Sequence, residues 1–103
     1  MSIIFISGAM TGREDLNRKQ FNKIEMQLRK NGHIVLNPAV LPDGMEYDAY
    51  IRICNSMINE ADALYMMKGW QDSNGAKMEY MYANEKGKAI LFEEPFNEKM
   101  LWV

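Results

Sequence analysis

Residues 61–92 read ADALYMMKGWQDSNGAKMEYMYANEKGKAILF, and this stretch decides the fold. "ADALYMM" (61–67) is a short apolar run of strand length. In the loop that follows, Asp72 and Ser73 are both N-cap candidates and Asn74-Gly75 favours a sharp entry, so a helix is expected from there to about Lys86. Gly87 is placed as its C-cap, and "KAILF" (88–92) reads as the next strand. Two strands joined through a helix run parallel, because the helix carries the chain back to the starting edge.

The same alternation extends upstream. "IIFI" (3–6) is a continuous apolar run stopped by Ser7-Gly8, as expected of a strand buried on both faces. Asp15 is placed as the cap of a helix over about 16–31, with Phe21, Ile24 and Leu28 as its apolar stripe and Asn31-Gly32 closing it. "HIVL" (33–36) is a second strand ended by Asn37-Pro38, and a loop over 37–46 leads to a helix near 47–60. The predicted fold class is α/β: a doubly wound, flavodoxin- or Rossmann-like parallel sheet in three layers, with four or five strands in the order 2-1-3-4. Ligands of such sheets bind outside the carboxyl ends of the strands, at the switch point between strands 1 and 3. Attention therefore falls on the loops 7–15 and 67–75. The last ten residues, EPFNEKMLWV, read equally as an edge strand or as an arm onto a partner.

Bulk properties bound the partner. At 103 residues, 48% apolar and 25% charged, the chain has the balance of one soluble globular domain. It shows no apolar run of membrane-span length, and MSIIFISG is too short for a signal peptide. Cys54 is the single cysteine, which makes the cytoplasm the expected compartment. A net charge of −2, with no basic stripe, argues against polymeric nucleic acid and leaves a small molecule or another chain. The lone His33 has no Cys or Asp cluster around it, so neither a metal nor another cofactor is expected. Ten methionines suit an adaptable core or an oligomer face.

The first loop, SGAMTGRED, brings Ser7, Gly8, Ala9, Met10, Thr11, Gly12 and Arg13 to the start of a helix. Its glycines allow backbone amides to approach an anion, and Arg13 offers a charged fork for phosphate. The spacing is neither that of a Walker A loop nor G-x-G-x-x-G. In the second loop and helix, Ala76, Tyr80 and Ala83 form the sheet-facing stripe, with Glu79 on its flank. A carboxylate there serves the helix dipole in one reading, and serves as nucleophile or base in the other. Met78, Met81 and Tyr82 make the outer face oddly apolar, which a partner chain would explain.

Taken together, FISGAMTG, NGHIVLNPA, ADALYMMKGW and S-x-G-A-x-x-E resemble the nucleoside 2-deoxyribosyltransferase-like superfamily, in particular a small branch frequent in phages and bacteria. The resemblance spans about residues 3–92. It implies that Glu79 is a nucleophile attacking C1′ of a deoxynucleoside or its 5′-monophosphate, with water or a second base as acceptor. It implies substrate contacts from Ser73 and Gly75 and from the first loop, and a homodimer or higher homo-oligomer to which Trp102 would contribute; Trp70 either stacks on the base or packs on its own loop. Two positions depart from the family pattern. Phe5 stands where a tyrosine would bond the nucleophile, and Cys54 stands where an aspartate would protonate the departing base. A module that binds nucleotide without reacting is the alternative, and an electron carrier is poorly supported.

Overall fold

The computed structural model describes residues 1–94. The segment 95–103, with the arm or edge strand and the Trp102 contact expected there, lies outside the described residues. Four strands, β1 (Ile3–Ser7), β2 (Ile34–Leu36), β3 (Ala63–Met66) and β4 (Ala89–Phe92), form one all-parallel sheet in the order β2-β1-β3-β4. Three helices, α1 (Arg18–Lys30), α2 (Tyr47–Glu60) and α3 (Asn74–Glu85), cover it. The doubly wound three-layer architecture is as expected.

The pleat of β1 sorts the core into two halves. Ile4 and Ile6 face α1, where Phe21, Ile24 and Leu28 meet them. Phe5 points to the opposite side and packs with Cys54 and Ile58 of α2 and with Ala76, Tyr80 and Ala83 of α3. The small residues of the α3 stripe let that helix lie close to the sheet. Below it, Trp70 stacks at 5.0 Å from Tyr80 and 6.2 Å from Phe92.

Local chemistry sets most boundaries. Both α1 and α3 end in the same double bond: His33 N–H donates to Leu28 O and Gly32 N–H to Arg29 O, and Lys88 N–H donates to Ala83 O and Gly87 N–H to Asn84 O. Gly32 and Gly87 take the positive φ this requires, +90° and +73°. Asp62 holds the amino edge of the sheet, its carboxylate accepting from Ile3 N–H at 2.9 Å.

The start of α1 differs from expectation. Asp15 does not cap a helix. It lies in a 3-10 turn over Glu14–Asn17, where Asp15, Leu16 and Asn17 all adopt left-handed backbone angles. The Asp15 carboxylate bonds Arg18 at 2.8 Å instead. Asp and Asn tolerate that region; Leu16 does so at a cost of about 1–3 kcal/mol.

Candidate active site

The loops after β1 and β3 meet because Met67 N–H donates to Ser7 O at 2.8 Å, one step beyond the last paired residues. Gly8 is required there by space: a Cβ on it would stand 2.7 Å from the Met67 sulfur and 2.9 Å from the Met67 Cβ. The bared carboxyl edge opens into a cavity of about 490 Å³, within the range of small-molecule sites. Gly8, Met10 and Thr11 form one side. Ser73, Gly75, Met78, Glu79 and Tyr82 come from the α3 side, and Tyr47, Tyr50, Ile51, Cys54 and Asn55 from one face of α2. Arg18 and the 37–46 loop, through Leu41, Asp43 and Met45, complete the rim.

Glu79 is half-buried in this wall. Ser73 starts α3 by accepting from Ala76 N–H at 3.1 Å. Helical spacing then turns Ala76 and Tyr80 onto the sheet and Glu79 toward the end of β1. There the fully buried Ser7 hydroxyl donates to Glu79 Oε1 at 2.6 Å, a short charge-assisted bond. The Cys54 thiol of α2 faces the same carboxylate.

Burial dominates the electrostatics. It pushes the Glu79 carboxyl up to about 7, against the opposing hydrogen bonds from Ser7 and Cys54. Burial, then the charge and hydrogen bond of Glu79, push the Cys54 thiol up to about 12. The thiol therefore keeps its proton at neutral pH, while the carboxyl exchanges its own. A carboxylate poised near neutrality on a cavity wall can act as nucleophile or base.

The residues singled out in the sequence divide. Gly8, Met10, Thr11, Ser73, Gly75 and Glu79 share the cavity, and Ser7 lies behind it, bonded to Glu79. Ala9 is buried, its carbonyl accepting from the Asn17 side chain at 3.0 Å. Gly12, at φ +80°, turns the chain away. Arg13 therefore lies not in the cavity but in a separate polar cleft with Lys68, Gly69 and Asp72, 3.9 Å from the Asp72 carboxylate. Of the two readings of Trp70, stacking on a base or packing within the protein, the second is the one seen: it is 2% exposed and packs in the core, because the left-handed Gly69 sends it under α3. Met78 and Tyr82, expected on an outer face, line the cavity, and the Tyr82 hydroxyl donates to Asn59 of α2 at 2.8 Å. Met81 remains on the surface, half exposed.

Apart from Cys54, the α2 wall was overlooked in the sequence, as was Arg18. The signal was present: positions 47, 50, 51, 54 and 55 follow a helical i, i+3, i+4, i+7, i+8 face. Arg18 bonds Asp15, Asp43 and the Ala39 carbonyl, pinning the 37–46 loop over the start of α1. Among the described residues, no three metal-type side chains come together, and no helix is long and apolar enough to cross a membrane.

A family model described as a domain of unknown function (DUF4406) matches residues 2–92. Among solved structures, the chain is similar to a 2-desoxiribosyltransferase from Leishmania mexicana, at a TM-score of 0.73 and 18% identity, over 89% of this chain and 63% of that one. It is also similar to the CMP N-glycosidase BcmB of Clostridium botulinum, at a TM-score of 0.69 and 21% identity, over 97% of this chain and 80% of that one. A comparison with proteins of curated function finds no match. The two structural likenesses show a shared fold, the doubly wound parallel α/β sheet. The chain spans under two thirds of the length of the Leishmania protein.

Proposed function

The chain belongs to the DUF4406 family, whose description assigns no activity, and from its own site we propose that it cleaves or transfers the N-glycosidic bond of a nucleoside or its 5′-monophosphate. The observation that carries this reading is Glu79. It is a carboxylate on a cavity wall at the carboxyl edge of the sheet, held at 2.6 Å by the buried Ser7 hydroxyl and titrating near 7. Support also comes from the two enzymes whose fold it shares, one named for deoxyribosyl transfer and one for CMP N-glycosidase activity.

In this reading a Glu79 oxygen attacks C1′, the C1′–N bond breaks with its electron pair passing to the base, and a glycosyl ester forms. Water or a second base then displaces Glu79. Development of positive charge at the anomeric centre is stabilised by the adjacent carboxylate, as in retaining glycosidases. Ser7 stands on the same face of β1 as Phe5, two residues on, so its hydroxyl supplies the bond to the nucleophile that a tyrosine at position 5 would otherwise give.

A second reading is a binding module that does not react. It is favoured by one observation, the Cys54 thiol held near 12, which is a poor proton donor to a departing base. Incubation with nucleosides and their 5′-monophosphates, followed by chromatography for free base, separates the two. Base release that disappears in Glu79→Gln supports the enzyme; nucleotide binding with no base released from any substrate supports the module.

A further inference from the structure

A leaving base must take back the electron pair of its glycosidic bond, and a neutral base does so readily only when an acid gives it a proton. The proton donors on the cavity wall are weak or engaged. Cys54 is a thiol among apolar neighbours. The Tyr50 hydroxyl donates to the Pro42 carbonyl, and the Tyr82 hydroxyl to Asn59 at 2.8 Å. The Tyr47 hydroxyl rests on the Met78 sulfur at 4.0 Å. Of the two carboxyl groups on the wall, Glu79 is needed as the nucleophile, and Asp43 is paired with Arg18.

The same wall suits a positive ligand. It carries the two carboxylates against one guanidinium, and that guanidinium is already held by Asp43 and by Asp15 outside the cavity. Three tyrosines, 47, 50 and 82, border the space, and aromatic faces attract cations. A cation beside Glu79 also favours its ionised, nucleophilic form.

Resting on the proposed glycosidic chemistry, we infer that the preferred substrates are N-glycosides of a cationic base, one whose glycosidic nitrogen belongs to a ring carrying a full positive charge. The step then balances without an acid. Glu79 forms the C1′–O bond, the C1′–N bond breaks, and its electron pair neutralises the ring, which departs uncharged. Water next attacks C1′ of the ester, its oxygen goes to the sugar, its proton goes to solvent, and the Glu79 carboxylate is restored.

The test compares matched substrates at one pH with the uncatalysed rate subtracted: guanosine against its N7-methylated counterpart, and cytidine against nicotinamide riboside, each also as the 5′-monophosphate. With no acid to compensate for a poor leaving group, the cationic member of each pair is released about 10²–10⁴-fold faster in kcat/KM, the range a general acid would otherwise supply. Glu79→Gln abolishes both. Equal or faster release of the neutral base overturns this inference and leaves the glycosidase reading standing. Release from the cationic member that persists in Glu79→Gln overturns it as well. No base release from any substrate overturns the glycosidase reading, and this inference with it.

Discussion

Two opposed physical effects act on the one carboxyl of Glu79. Burial favours the neutral form, while the bonds from Ser7 and Cys54 favour the charged one, and burial wins by enough to bring the group to about 7. A nucleophile must be ionised, so base release per enzyme should climb with pH through about 7 and level off above it. A profile flat across that interval would contradict the role. Ser7→Ala removes a bond that lowers the Glu79 value, so its ascending limb should move to higher pH by about one unit, the equivalent of one charge-assisted hydrogen bond. Ser7→Thr keeps the hydroxyl, and the profile should stay close to that of the parent.

Among the elements, α3 and the β1 loop do the positioning. Ser73→Ala removes the cap of α3 and should lower stability by about 1 kcal/mol in a denaturant titration. Gly8→Ala drives a Cβ into the Met67 side chain and should lower it by about 1–3 kcal/mol, with substrate KM raised because the loop must shift at the cavity mouth. Most of the strands and helices were legible because the strands show short apolar runs, and α1 and α3 show a 3.6-residue stripe ended by Gly32 and Gly87. The entry to α1 was not. Asp15 looks like a cap, but its carboxylate is taken by Arg18, and three successive left-handed residues carry the chain into the helix instead. Met78 and Tyr82 looked misplaced for an outer face because the position of α2 beside α3 is a tertiary fact. Arg13 and Trp70 lie outside the cavity for a related reason: Gly12 and Gly69, both at positive φ, turn them from it, and sequence marks such glycines without fixing the direction that follows.

For the molecule as a whole, the sheet order determines where chemistry is possible. In β2-β1-β3-β4 the chain leaves β1 and β3 toward opposite faces, which opens the crevice that Glu79 borders. That location followed from the alternation of strands and helices alone; the tyrosine wall and the Arg18–Asp43 closure required the packed structure. The site also weighs on stability. Below about 4.5, the ordinary value for the side chain, Glu79 is protonated whether folded or unfolded, and contributes nothing. Between there and about 7 the unfolded chain ionises first, so stability falls as pH rises, and above 7 the full cost remains. Glu79→Gln should therefore be more stable than the parent above pH 7, by about 1–3 kcal/mol in thermal or denaturant unfolding, with the difference closing toward pH 4.5. In the proposed reaction Glu79 becomes covalently bonded to the sugar. Quenching a reaction with acid during turnover and mapping peptides by mass spectrometry tests it most directly. A pentosyl adduct is expected on the peptide containing Glu79 and absent from Glu79→Gln; base release with no adduct on that peptide, continuing in Glu79→Gln, would overturn the covalent role of Glu79.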